Sequence, residues 1–329
     1  MGVTIKDIAK KAGVSYSTVS KALRDSPLVQ KPTKNKIMAI AEELGYQPNI
    51  AARSLVSKKS WVVGVVWPSV ERMTLSALIT KVNKELEEKQ YTTVLSINEI
   101  DSAIQTFQRF QVDAILVFRD QANSPFELEA LDTNIPILFY GTQSDQVSPV
   151  VDVNRKKAIE LAVEHLSKLG HKKMAYIGNL GEKDTLQQEK VQTFQHMLVR
   201  KGIESGGIPL LNGLEASEGY RAGRQIIQAA SPPTAILSGS YDLTRGLFQA
   251  LHEAGLSVPQ DISIASYDHV PQMLEFDPPV TSVGVPIEKV AEEIAAILLR
   301  MIDQTDVQQT YLLDPELAVR TSTRHRINQ

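Results

Sequence analysis

The chain has 329 residues, 43% hydrophobic and 22% charged, the composition of a globular protein large enough for two or three compact units. It contains no cysteine, so a disulfide framework and a thiolate metal site are both excluded. The net charge of −3 conceals a division: residues 1–60 hold eleven Lys/Arg against four Asp/Glu, and the remainder holds 24 against 34. A basic head on an acidic body is what a nucleic-acid contact confined to one end produces, although a solvated basic surface without a partner gives the same balance. The first twenty residues lack the apolar run of a secretory signal, and no stretch approaches the roughly 20 apolar residues of a membrane span. The expectation is a cytoplasmic protein with no membrane partner.

The head reads as four short helices. Thr4 is placed to cap the first, with Asp7 three residues on as an approximate capping box, and Ile5, Ile8, Ala9 and Ala12 form one apolar face. Gly13 permits a tight turn in which Val14 is buried. Ser15 is placed to cap a second helix, Tyr16 to Leu23, with Val19, Ala22 and Leu23 inward and Tyr16, Ser17, Ser20 and Lys21 toward solvent. A third helix begins near Pro32, shows Ile37, Ile40, Ala41 and Leu44 at helical spacing, and stops at Gly45. Pro48 and Asn49 open a last helix, Ile50 to about Ser57, with too little apolar surface to stand alone.

After Trp61, β-rich runs recur at 62–67, 92–97, 114–118 and 136–140, with helical stretches such as 75–89 between them. From Asp152 the alternation restarts: helix 155–169, strand 174–178, helix 187–201, strand 208–211, helix 217–229, strand 234–237, helix 243–254, strand 262–267. Apolar strands alternating with amphipathic helices predict parallel sheets covered on both faces, and two such series predict two similar subdomains. The expected fold is therefore an all-α head, helix-turn-helix plus hinge helix, joined to an α/β core of two doubly wound parallel-sheet subdomains. Ligands of open α/β sheets bind outside the carboxyl ends of the strands, which points to a cleft between the subdomains.

A helix, a short turn with Gly and a second helix form the geometry that lays a recognition helix in the major groove, where all four base pairs differ. Tyr16, Ser17 and Lys21 lie at spacing that reaches base edges. Thr4, Ser15, Thr18 and Ser20 carry hydroxyls near helix starts, suited to phosphates, to helix caps, or in Ser15 to both. Enzyme motifs are missing: there is no HExxH, no GxxxxGK[ST] and no GxGxxG after a strand. The six His residues are scattered, and His165 and His171, near a helix end, read as packing or capping residues. No catalytic residue, metal or cofactor is expected. A periplasmic solute-binding protein would suit the core but has no use for the basic head.

VTIKDIAKKAGVSYSTVSKAL followed by IAEELGYQPNIAARSL resembles the head of the lactose/galactose repressor family of bacterial transcription regulators over about 60 residues. The resemblance implies that Tyr16, Ser17 and Lys21 read major-groove bases, with Lys21 where most members carry Arg. Gln30 stands where the family usually has Ser, and Pro32 sits early in the helix. The segment Pro48–Leu55 resembles the family's hinge helix, which implies that Leu55 wedges between base pairs in the minor groove, with Asn49 and Ala52 as hinge contacts.

The core resembles the same family through Val62–Pro68, Asp152–Asn154, LSKLGH ending at His171, Ser266–Asp268, Asp277–Pro279 with Thr281, and RTSTR from Arg320. This implies a DNA-binding domain at 1–47, a hinge at 48–60, and a sensing and dimerisation core at 61–329. Crossings near Val153, Val283 and Asp314 would divide that core into subdomain 1, about 61–152 plus 284–313, and subdomain 2, about 153–283 plus 314–329. It further implies a homodimer on a roughly palindromic double-stranded DNA operator, and no tetramerising heptad tail follows Arg326.

The resemblance weakens at the effector pocket. Gly141 stands where sugar-binding members present Asp, Lys190 where they have Arg, Tyr241–Asp242 where they have Asn-Asp, and Arg72–Met73–Thr74–Leu75 where they have Asn-Pro-Phe-Phe. Only Asp242 and Asp268 match directly. The expected effector is accordingly not a plain neutral sugar but one with an anionic group for Lys190 or Arg72, such as a phosphorylated sugar or sugar acid. A protein co-regulator on the core surface is the alternative. The implied mechanism is repression by operator occupancy, with the effector altering the angle between subdomains.

Overall fold

A computed structural model describes residues 3–23, 26–46, 59–67, 72–118, 133–141 and 148–326. Contacts divide the chain into two compact units, 1–60 and 61–329. In the first, α1 (Ile5–Ala12), α2 (Tyr16–Leu23) and α3 (Lys31–Glu43) pack as a helix-turn-helix with a third supporting helix. Eight-residue helices are unstable alone, so their order comes from packing. Ile8, Val19 and Ile37 are fully buried together with Ala9, Ala12, Ala22 and Ala41, each large side chain contributing about 1.5–3 kcal/mol over exposure.

At the N-terminus of α1 the Thr4 amide and hydroxyl both donate to the Asp7 carboxylate, at 2.8 and 2.7 Å. Gly13 then takes the left-handed conformation, φ 70°, and its N–H closes the helix on the Ala9 carbonyl. Lys36 of α3 donates to the Ala12 carbonyl at 3.0 Å, a cation on a helix C-terminus. Val14, expected to be buried, is only half-buried, packed against the margin of the head core. The hinge-helix expectation for 50–57 lies outside the described residues.

The second unit begins with β1 (Val62–Val66), α4 (Met73–Glu88), β2 (Thr92–Ser96), α5 (Ile100–Phe110), β3 (Ala114–Phe118), β4 (Ile137–Tyr140) and β5 (Val150–Val153). It continues through α6 (Arg155–Lys168), β6 (Lys173–Ile177), α7 (Thr185–Lys201), β7 (Glu204–Ser205), α8 (Ala216–Ile227), β8 (Ala235–Ser238) and α9 (Tyr241–Glu253). It closes with β9 (Ser263–His269), β10 (Thr281–Pro286), α10 (Ile287–Ile302), β11 (Thr310–Leu313) and β12 (Glu316–Ala318).

Among the described residues two six-stranded sheets result, in the orders β11-β5-β4-β3-β1-β2 and β12-β10-β9-β8-β6-β7. Every pairing is parallel except that of β12 with β10. Strand alternation distributes side chains between two cores: Ala114, Leu116 and Phe118 of β3 face one, Ile115 and Val117 the other. Helices α4 and α10 cover one face of the first sheet and α5 the opposite face. In the second sheet α6 and α7 cover one face, α8 and α9 the other. Helices α8 and α9 approach so closely that a Cβ on Gly246 would lie 1.7 Å from the Ala216 carbonyl oxygen.

The chain crosses between the sheets after Val153, after Pro286 and between Leu313 and Glu316. The second crossing comes three residues beyond Val283 because β10 keeps pairing with β9 to Pro286↔His269. The strand expected at 208–211 does not form as such. Gly207 adopts φ 113° and Pro209 lacks an N–H, so the ladder is confined to β7 and an isolated Asn179–Leu210 bridge. No helix among the described residues is long and apolar enough to cross a membrane.

Candidate nucleic-acid face and inter-subdomain cleft

In the head, Ser15 stands immediately before α2 and its Oγ accepts the Thr18 amide at 3.1 Å, satisfying one orphan donor of the first turn. Its hydroxyl also shares hydrogen bonds with Ser17 Oγ and Thr18 Oγ1, both at 2.8 Å. Tyr16, Ser17 and Lys21 are exposed on neighbouring turns, while Val19 and Ala22 on the opposite side fix the helix to the head core. Thr18 and Ser20 are half-buried. Thr4 is exposed, but its hydroxyl is engaged by Asp7, whose carboxyl those Thr4 hydrogen bonds hold below the usual carboxylate range. The structure thus brings Ser15, Tyr16, Ser17, Thr18, Ser20 and Lys21 onto one short helix and its entry. Asn49, Ala52 and Leu55 lie outside the described residues.

In the core unit, a cavity of about 120 Å³ opens between the two sheets. The start of α4 supplies Arg72, Thr74 and Leu75, the end of β4 supplies Tyr140 and Gly141, α7 supplies Gln187 and Lys190, and β9 supplies Tyr267 and Asp268. Arg72, Gly141, Lys190 and Asp268 of the expected pocket residues therefore line one space. Tyr241 and Asp242 do not. Asp242 Oδ2 instead accepts the Met73 amide at 3.3 Å, which turns it onto the first turn of α4 across the subdomain boundary. Burial raises the Asp242 pKa against that hydrogen bond. Tyr241 takes part through its backbone, its N–H donating to Asp268 Oδ2 at 2.9 Å. The same oxygen accepts the Thr74 hydroxyl at 3.0 Å, so a second bond joins the subdomains.

A buried ion pair beside the cleft was not among the expected residues. Arg155 donates from both terminal nitrogens to Asp152, at 2.6 and 2.5 Å, and reaches the Gly141 carbonyl at 3.5 Å. Burial works against the guanidinium charge, but the Asp152 hydrogen bonds and field outweigh it and raise the pKa. Acid and base sit three residues apart across the β5–α6 junction, a spacing that carries the signal only once the junction is known to face the cleft.

Asp184 was also missed. It caps α7 by accepting the Leu186 and Gln187 amides at 2.9 and 3.1 Å. Lys190 is buried, donates to the Gly239 carbonyl at 3.2 Å and lies 3.6 Å from the centroid of the Tyr267 ring. Burial pushes its pKa down to about 7; Asp268 opposes the shift, while Arg155 and Arg72 add to it. Gln187 Oε1, one turn before Lys190, is buried with no hydrogen-bond partner among the described residues.

Residues 4–49 match the model of the bacterial regulatory proteins of the lacI family, and residues 163–323 match a periplasmic binding protein-like domain. The HTH-type transcriptional regulator AglR of Rhizobium meliloti is 30% identical, the match covering 98% of this chain and 95% of that protein. The probable HTH-type transcriptional repressor ExuR of Bacillus subtilis is 29% identical, with 98% of each covered. Among solved structures, the Lac repressor dimer bound to operator and the anti-inducer ONPF superposes with a TM-score of 0.81 at 25% identity, covering 98% of this chain and 100% of that one.

Proposed function

Since the chain belongs to the LacI family of bacterial regulatory proteins, and is thus a DNA-binding transcription regulator rather than an enzyme, we propose that it works in the cytoplasm as a homodimeric repressor. Each dimer occupies a roughly palindromic operator, one head per half-site. The observation that carries this reading is the exposed row Tyr16, Ser17 and Lys21 on a helix whose other side is buried in the head core. In it these three side chains contact base edges, while Thr4, Ser15, Thr18 and Ser20 contact phosphates. Asn49, Ala52 and Leu55 enter the minor groove, with Leu55 as the wedge. Self-association is supported by the edge strand β2, which exposes Val94, Leu95 and, just beyond it, Ile97.

The effector binds in the cleft lined by Arg72, Gly141, Lys190 and Asp268, and it carries an acid group. Support comes from Arg72, Arg155 and Lys190 in the lining, and from Asp242 and one oxygen of Asp268 being engaged by α4 and α9. Its binding shifts the population of core conformations and, through it, the spacing of the paired heads. Fluorescence anisotropy with fragments flanking the chain's own gene, with and without neutral sugars, sugar phosphates and sugar acids, tests both parts. Selective retention of one fragment, altered by an acid, is the expected result. Equal affinity for all fragments and bulk competitor DNA under every condition refutes the repressor reading.

A further inference from the structure

The cations of the cleft differ in what already neutralises them. Arg155 is held on both terminal nitrogens by Asp152. Arg72 precedes the first turn of α4, onto which Asp242 and Asp268 both turn. Lys190 has no carboxylate at ion-pair distance among the described residues; its contacts there are one backbone carbonyl and the face of Tyr267. An ammonium has three donors, and the Gly239 carbonyl takes one. Three residues earlier on α7, on the same side of the helix and also lining the cavity, Gln187 keeps a buried acceptor oxygen that a hydroxyl would satisfy.

Resting on the acid-bearing effector proposed above, we infer that the effector's anionic group docks on Lys190, with an adjacent hydroxyl on Gln187, and that the docked lysine is charged, drawing a proton from solution wherever the free side chain was neutral. The ligand class is a hydroxylated carboxylic acid. The groups facing Lys190 are Asp268 and Tyr267 from β9, Asp184 before α7, Arg155 on α6 and Arg72 before α4. Burial and the two guanidiniums hold the free ammonium near neutrality, at about 7. A carboxylate placed against it supplies the missing counter-charge and restores the charged form. The affinity gained from that charge is fully present below the free-state pKa and declines above it.

Isothermal titration calorimetry on the full-length protein, with glucuronate, galacturonate and gluconate and their uncharged counterparts, reads this directly. These carboxylates remain ionised across pH 6–8, so comparing two buffers of different ionisation enthalpy counts protons taken up by the protein. Uptake should rise from ~0.1 proton at pH 6 to ~0.9 at pH 8, with affinity about tenfold weaker at pH 8 than at pH 6. Lys190→Arg, charged at every pH, should bind the acid with uptake near zero, and Lys190→Met should lose the preference for acid over neutral sugar. Acid binding whose enthalpy at pH 8 is the same in both buffers overturns the inference and leaves the effector reading standing. Acids that bind no better than the neutral sugars overturn the effector reading itself.

Discussion

Replacing Asp152 by Asn should be among the most damaging single changes in the core. The Arg155 guanidinium is about nine-tenths buried and draws two of its hydrogen bonds from that carboxylate. Asn removes the charge and turns one of the two acceptor oxygens into an NH2 that faces the guanidinium, which keeps the amide oxygen and the Gly141 carbonyl at 3.5 Å. Breaking a buried pair by neutralising one partner costs about 3–5 kcal/mol, a large share of the ~5–15 kcal/mol that holds a domain together. Arg155→Met leaves Asp152 buried with the Val153 amide at 2.8 Å as one donor, and should cost a comparable amount. The double variant carries neither charge and should lie within about 1–2 kcal/mol of the parent, a coupling of at least ~4 kcal/mol. Both tryptophans, Trp61 and Trp67, flank β1 in the sheet that holds β5. Urea unfolding followed by their fluorescence therefore reports the affected subdomain. Additive losses, or a single Asp152→Asn loss below about 1 kcal/mol, would refute the reasoning, because the pair would then be screened by water.

Lys21→Ala should cost about 1–3 kcal/mol of operator affinity at one base-pair position, read by anisotropy on a set of single-base operator variants; an equal loss on every sequence would make it a phosphate contact. Gly246→Ala should destabilise the second subdomain by at least ~1–3 kcal/mol in thermal unfolding, since the methyl meets the Ala216 carbonyl and the helices must part. Burial pushes the His171 pKa down to about 4, so the unfolded chain takes up its proton first. The stability that neutral His171 contributes is present above about 6.5 and is lost as pH falls toward 4, a slope that His171→Gln should flatten in denaturant titrations. Thr4 holds the Asp7 pKa down, so that contribution is present above the ordinary carboxylate range and lost as pH falls through it. Thr4→Val should raise the Asp7 pKa in an NMR titration and blunt the acid sensitivity of the head.

The head was legible because everything that builds it is local. Ser15, Gly13 and the apolar positions of α1, α2 and α3 lie within about three dozen residues, and propensity and periodicity speak at that range. The two-sheet core was legible in outline for a related reason: a run such as Ala114–Phe118, apolar at every position, has few alternatives to a strand covered on both faces. The cleft was less so. Its residues come from positions 72, 141, 155, 190 and 268, and which way each side chain turns depends on contacts that have no trace in local pattern. Asp242 shows the difficulty, since its place in the chain is that of a pocket carboxylate while its hydrogen bond goes to the Met73 amide. The 208–211 segment failed for a smaller reason: apolar composition signalled a strand, but Gly207 and Pro209 broke the ladder.

The threading of the chain between the sheets has a consequence for its birth on the ribosome. Strand β5 is complete at Val153, but its neighbour β11 is made some 160 residues later, a delay of roughly 8–30 s at ordinary bacterial elongation rates. During that interval the nascent first subdomain also lacks α10, and β5, all four of whose residues are buried in the finished fold, stands as a bare sheet margin. The first subdomain to be translated thus waits for its last strand until all but β12 of the second has been made, and holdase chaperones have their longest window on β5.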